Sequence, residues 1–324
     1  RTLERSYWAG PVDHWGRMSQ AGDLIELDVP APTRRHQFIP YTLSQVREGH
    51  SPNASLGLDA RYALTPQTSA YVTLNPDFAT IEADQEEINL TRFELNLTEK
   101  RQFFIEGQEL FGQRIKTFYS RRIGDISGGG KVLGTHGGWS FAALSARSNL
   151  QDSNDRAHYT VARVRRDVAT RSNIGFTLAN RSQDGRQQGS IEVDTSLFFT
   201  DTFGFTGQFV KSYGQHETGT VAFFARPSYD SATAHAHVRF TYLGDRVADN
   251  INAIGFIRDD DRREIDSAAS KTFWIRSGPL ERLRYNSNYN IYWGQNSTLR
   301  SWKVDESLEF DWRNRWSTAV SHTE

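Results

Sequence analysis

The feature that most constrains this chain is a two-residue alternation of apolar and polar side chains, repeated along most of its length. In the segment 190–200, Ile191, Val193, Thr195, Leu197 and Phe199 fall on one side, and Glu192, Asp194 and Ser196 on the other. A pleated strand puts each set on its own face. Phe203, Phe205, Gly207 and Phe209 then alternate with Gly204, Thr206 and Gln208, and the short Thr200-Asp201-Thr202 between the two runs predicts a tight hairpin. Ala234, Ala236, Val238, Phe240 and Tyr242 oppose His235, His237, Arg239 and Thr241. Leu283, Tyr285, Tyr289, Ile291 and Trp293 oppose Arg282, Arg284, Asn286, Asn288 and Asn290. Trp302, Val304, Leu308, Phe310 and Trp312 oppose Lys303, Asp305, Ser307, Glu309 and Asp311, with Glu306 the exception on the apolar side.

A soluble sandwich would alternate in the same way, with its polar face toward bulk water. Three features favour a membrane barrel instead. The runs extend over roughly 9–13 residues, against the ~5–6 typical of soluble sheets. Aromatics gather near the run ends, at Phe198, Phe199 and Phe203, at Trp293, and at Trp302, Trp312 and Trp316, as interfacial girdles do. Helical spacing is almost missing after Arg122. The expected fold class is therefore all-β, a transmembrane antiparallel β-barrel with a short helical plug-like segment, and the chain reads as a piece of a longer barrel. At roughly 20–24 residues per strand and connection, it would hold on the order of 14 strands. The segments from Asn149 to Arg156 and from Asp259 to Asp266 read as exposed linkers.

Composition agrees with this reading. Mean hydropathy is −0.62, and no apolar run approaches the ~20 residues of a spanning helix. Barrel strands escape that test because half their side chains face a polar lumen. There is no cysteine, which removes disulfides and thiolate metal sites. Formal net charge is −1, so no global field would draw nucleic acid. No cofactor is expected.

Two regions differ in texture. Residues 131–324 read as consecutive barrel strands. Residues 1–130 read as opening strands (Asp23 to Val29, Gln37 to Val46, Leu56 to Leu64, Thr68 to Leu74), an acidic stretch from Asn75 to Glu87, and one amphipathic segment. In that segment Phe103, Phe104, Gly107, Leu110 and Phe111 fall at helical spacing. Backbone outside the barrel wall at membrane depth must be buried in protein or line water. The segment is therefore expected to fold inward as a plug or constriction built from Phe103, Phe104, Glu106, Gly107, Glu109 and Phe111. Its carboxylates would meet Arg121 and Arg122.

The stretch from Gly57 to Gly124 carries a resemblance. It contains Gly-Leu-Asp-Ala-Arg-Tyr, Leu-Asn-Pro-Asp-Phe-Ala-Thr-Ile-Glu-Ala-Asp, Ile-Asn-Leu-Thr-Arg-Phe-Glu, Glu-Lys-Arg-Gln-Phe-Phe-Ile-Glu-Gly and Tyr-Ser-Arg-Arg-Ile-Gly in that order. This resembles the DUF5916 family of bacterial outer-membrane proteins. There a barrel follows an N-terminal module similar to family 9 carbohydrate-binding modules. That module is expected to be absent here, since residues 1–50 already read as barrel. The resemblance implies a Gram-negative outer-membrane location with membrane lipid as partner. It supplies no reaction. The functional expectation is a porin-like conduit, or an anchor or scaffold, and no enzyme. One alternative is a glycan-binding or glycan-processing outer-membrane enzyme; another is a structural subunit beside other envelope proteins.

The candidate lumen-facing residues are His235, His237, Arg239, Arg282, Arg284, Lys303, Asp305 and Glu309. Asp77, Glu82 and Asp84 could hold Ca²⁺, which takes about 6–8 oxygens, but the ordered spacing of a calcium loop is lacking, and a solvated lumen face, or ion pairs with Arg92, Lys100, Arg101, Arg121 and Arg122, explains them better. Glu99, Glu106 and Glu109 could supply a glycosidase carboxylate pair, though nothing in the spacing fixes that geometry. His235 and His237 share a strand face and could begin a metal site, but a third ligand is missing. Gly128-Gly129-Gly130-Lys131 lacks the Walker spacing and reads as a flexible turn.

Overall fold

In a computed structural model, residues 36–45, 53–76, 89, 93–149 and 156–324 are described. Asp23 to Val29, the candidate calcium ligands Asp77, Glu82 and Asp84, and most of the linker from Asn149 to Arg156 lie outside these residues.

The described residues form one fifteen-stranded antiparallel sheet in which every strand pairs with its sequence neighbours. The first three strands are β1 (His36–Gln45), β2 (Asn53–Thr65) and β3 (Thr68–Leu74). After a long connection come β4 (Ile126–His136), β5 (Trp139–Asn149), β6 (Arg156–Ala169), β7 (Ser172–Gln183), β8 (Arg186–Phe198) and β9 (Phe203–Tyr213). The rest are β10 (Val221–Asp230), β11 (Ala234–Leu243), β12 (Arg262–Trp274), β13 (Leu280–Gly294), β14 (Leu299–Trp312) and β15 (Ser317–Thr323). Among the described residues β1 and β15 are the two edges and do not pair with each other. The chain is thus an all-β meander, close to the strand number that the alternation implies.

Hairpin chemistry sets the tight ends. Gly137 and Gly138 both have positive φ, as do Asp184 and Gly185. This is the two-residue geometry that matches the right-handed twist of paired strands. The Thr-Asp-Thr hairpin between β8 and β9 forms where the sequence places it.

Register carries each face across many strands. One row runs Phe141, Val164, Phe176, Val193, Phe209, Phe223 and Tyr242, each residue opposite the next. The rings of Phe223 and Tyr242 stack with centroids 5.3 Å apart. On the opposite face, Leu133, Ala142, Arg163, Thr177, Glu192, Val210, Ala222 and Leu243 form the neighbouring row. The first face is apolar and exposed: Val193 has 47% of its surface accessible and Phe209 51%. The second face mixes charged and polar side chains with alanines and larger apolar residues such as Leu133, Val210 and Leu243, and it is largely buried where the chain's own connections lie on it.

Two long connections do this covering. Both leave the same end of the meander, since each links an odd-numbered strand to the next even one. The β3–β4 connection contains α1 (Gln102–Ile105) and short 3₁₀ turns at Gln108–Phe111 and Ser120–Arg122. The β11–β12 connection contains α2 (Val247–Ile251). They meet each other: the Phe256 amide donates to the Lys116 carbonyl (2.8 Å) and the Tyr119 amide to the Ile254 carbonyl (2.9 Å).

Two linker readings are corrected. Gly128-Gly129-Gly130-Lys131 is not a turn but the middle of β4. Asp259 to Asp266 is not all loop, for β12 begins at Arg262. Its charges hid the strand: Arg262, Glu264 and Asp266 lie on the covered face and pair among themselves and with Arg239.

Candidate functional site

The site is the covered face of the sheet together with the β3–β4 connection that crosses it. Packing there is asymmetric. Large side chains come from the connections, with Phe104, Phe111, Ile123 and Ile254 buried and Phe103, Leu110 and Phe118 packed against them. The wall meets them with small residues, Ala142, Ala146, Ala157, Val161 and Ala179, set among the larger Ile126, Leu144 and Tyr159. Each fully buried Phe or Ile contributes on the order of 1.5–3 kcal/mol by leaving water.

Gly129 explains why β4 tolerates three consecutive glycines. A Cβ on Gly129 would lie 3.1 Å from the Phe103 ring and 3.1 Å from the Ser145 carbonyl. The missing side chain is the seat of Phe103. Gly129→Val is therefore expected to lift α1 off the wall; overpacking of this kind costs typically 1–3 kcal/mol. A shift in the denaturant midpoint of the purified variant checks it, and an unchanged midpoint would mean that Phe103 moves aside freely.

The expected helix from Phe103 to Phe111 is shorter than its spacing implies. α1 ends at Ile105, Gly107 takes the left-handed conformation (φ 76°), and Gln108–Phe111 continues as 3₁₀. The reason lies in the wall. Lys131, in β4, donates through Nζ to the carbonyls of both Phe103 and Glu106. Those carbonyls are drawn toward the sheet instead of along a helix axis, and Gly107 supplies the bend.

The base of the connection is anchored by a buried ion pair. Arg101 Nη2 lies 2.7 Å from Glu99 Oε2, and its guanidinium also donates to the carbonyls of Ser120, Ile123 and Gly124. It stacks 4.3 Å from the Phe104 ring centroid. Burial opposes ionisation of Glu99, yet the hydrogen bonds it accepts from Arg101 and Ser120 outweigh this and hold its carboxyl below the usual carboxylate range. Of the carboxylates proposed for a glycosidase pair, Glu99 is thus engaged by Arg101, and Glu106 accepts a hydrogen bond from Gln102 (2.8 Å); Glu109 is exposed. The expected contact of Arg122 with Glu106 or Glu109 is not formed: Arg122 holds Glu94 at 2.5 Å instead. Arg121 flanks it in the same 3₁₀ turn.

Further along, 113–119 docks by polar contacts that the sequence did not reveal. Thr117 donates to Glu192 Oε2 (2.6 Å), and Gln208 both accepts from the Ile115 amide (2.9 Å) and donates to its carbonyl (2.8 Å). Gln113 reaches Thr177 and Asp194, and Asp194 forms an ion pair with Arg163 at 2.7 Å. Glu192, Asp194 and Gln208 were legible as one polar face; their partner segment lies tens of residues away, and no spacing links the two.

The eight lumen candidates share this face of the sheet, from the buried Arg239 to the exposed Lys303. Arg239, Asp266, Asn290 and Lys303 form one row, and His237, Ala268, Asn288 and Asp305 the next. The structure brings them together as pairs: Arg239 with Glu264 and Asp266, Arg282 with Asp311 (2.5 Å), Arg284 with Glu309 (2.7 Å) and Lys303 with Asp305 (2.7 Å). His235 and His237 do not converge on a shared point. His235 Nδ1 meets Asp230 at 2.5 Å, His235 Nε2 meets His237 Nδ1 at 2.9 Å, and His237 Nε2 faces Asp266 at 3.5 Å. Among the described residues no group of three or more His, Asp or Glu is placed to hold a metal ion. Glu306, the break in the apolar pattern, accepts hydrogen bonds from the hydroxyls of Tyr285 and Tyr289 on its own face.

Comparison with known proteins adds one relationship. No curated protein matches the chain. Residues 31–133, which span β1 to β3, the connection with α1 and most of β4, match the model of a domain of unknown function, DUF5916.

Proposed function

We propose that this chain forms part of an outer-membrane β-barrel that serves as a conduit, or as an anchor and scaffold in the envelope, with the β3–β4 connection as its internal plug. The observation that carries the reading is the division between faces. One face carries a continuous row of large apolar side chains from Phe141 to Tyr242, exposed at Phe176, Val193 and Phe209, while the other is rich in charged and hydrogen-bonded groups and is partly covered by the chain itself. A water-soluble sheet would bury the first face and expose the second. A sheet whose outer face meets lipid and whose inner face lines a polar, partly plugged interior reverses that order. No helix among the described residues is long and apolar enough to cross a membrane, so strands are the elements that would span it. Exposed aromatics near strand ends, Trp139, Phe199, Phe203, Trp274 and Trp316, suit the two interfaces.

The reading is tested by placing a charge on the apolar row. Val193→Arg is expected to cost about 2–4 kcal/mol of folding stability in lipid bilayers if Val193 lies near mid-membrane, measured by urea titration in vesicles. At an exposed position of a water-soluble protein the same change stays within about 0.5 kcal/mol, and that result would count against lipid contact.

A further inference from the structure

The covered face contains a pocket that the plug reading does not use. It has a volume of about 520 Å³ and lies between the two long connections and strands β11 and β12. Phe93, Ile115, Leu243, Phe256 and Ile257 give it apolar walls, and Arg114, Lys116, Arg258 and Arg262 line it with positive charge. Two carboxylates also line it, and both already face arginines. Asp259 lies 3.7 Å from Arg300, and Glu264 lies 3.1 Å from Arg239 and 3.5 Å from Arg262. Arg114 and Arg258 form no ion pair among the described residues, and the Lys116 ammonium has a single hydrogen bond, to the Asn96 side chain (3.1 Å). Arg101, Arg163, Arg239, Arg282, Arg284 and Lys303, by contrast, each hold a carboxylate. Three cations without a carboxylate among the described residues, Arg114, Lys116 and Arg258, thus line one concave point.

We propose that this pocket binds a small organic anion, a phosphate or carboxylate head on an apolar body. The head would sit among Arg114, Lys116 and Arg258, and the body against Ile115, Leu243 and Phe256. A guanidinium matches either anion with two parallel N–H donors, and a volume of a few hundred Å³ suits a small ligand. Crowding supports the assignment. Burial, and then the nearby Arg258, lower the pKa of Lys116, so an anion placed between these groups would relieve a repulsion already present. In a conduit the same arrangement would favour anionic solutes. The pocket itself does not require a bilayer, so a binding measurement and the Val193→Arg measurement can fail separately.

The probe is phenyl phosphate, titrated calorimetrically into the folded full chain in detergent, with benzyl alcohol as the neutral control. Saturable binding of phenyl phosphate that weakens with added salt is expected, together with much weaker binding of benzyl alcohol. The double substitution Arg114→Gln and Arg258→Gln removes no ion pair, so the melting temperature without ligand should stay the same while affinity falls about tenfold or more, as loss of charge-assisted hydrogen bonds implies. If the double variant proves unstable, Lys116→Gln alone should weaken binding in the same direction. The proposal is overturned if phenyl phosphate gives no saturable signal, if benzyl alcohol binds equally well, or if folded variants bind like the parent.

Discussion

Replacing Arg101 with Met is expected to destabilise the folded chain by about 3–5 kcal/mol, the range for breaking a buried ion pair by removing one partner. Arg101 is 6% exposed and joins Glu99 to three carbonyls at the base of the β3–β4 connection. Met keeps most of its volume and leaves Glu99 buried without its cation. The loss should depend on pH. The folded chain holds the Glu99 carboxyl below its ordinary range, so the pair contributes stability above an unfolded carboxylate pKa of about 4.3 and loses it as pH falls through the lower folded value. Denaturant midpoints of parent and variant should therefore differ most near neutral pH and converge in acid. An identical gap at both ends would mean that Arg101 acts through its packing on Phe104 and not through the pair.

Removal of Phe103 to Phe111 is the second large effect. It takes away α1, the Gly107 bend and the following 3₁₀ turn, and frees Lys131 from the two carbonyls it holds. If the connection plugs a conduit, single-channel conductance of the deletion variant in planar bilayers should rise several-fold over the parent. Near-ultraviolet and far-ultraviolet circular dichroism establish that the variant has kept its sheet. Unchanged conductance in a folded variant would make the connection a structural brace, with the pore, if any, elsewhere.

Much of the fold was legible because barrel-like alternation is a local signal. Ile191, Val193, Leu197 and Phe199 share the exposed face as their spacing requires, and the hairpin at Thr-Asp-Thr follows from turn chemistry. The misreadings have one cause: the covered face is shaped by a distant segment. Glycines at 128–130 look like a turn until Phe103 is placed over Gly129. The charges of Arg262 and Asp266 look like a loop until Arg239 stands beside them. Helical spacing from Phe103 to Phe111 overstates the helix because Lys131 captures its carbonyls. The docking of Thr117 on Glu192 and of Ile115 on Gln208 joins positions 75 and 93 residues apart, beyond the reach of any local pattern.

In the proposed barrel the face that carries Val193 meets lipid, while the face that carries Glu192 and Lys303 does not. The chain has no cysteine, so Val193→Cys, Phe209→Cys and, on the other face, the exposed Lys303→Cys each give one labelling position. Each variant would carry a bimane fluorophore and be folded into vesicles containing brominated phosphatidylcholine. Strong quenching is expected at 193 and 209 and little at 303. Equal quenching at all three positions, or none at 193 and 209, would contradict that assignment of faces.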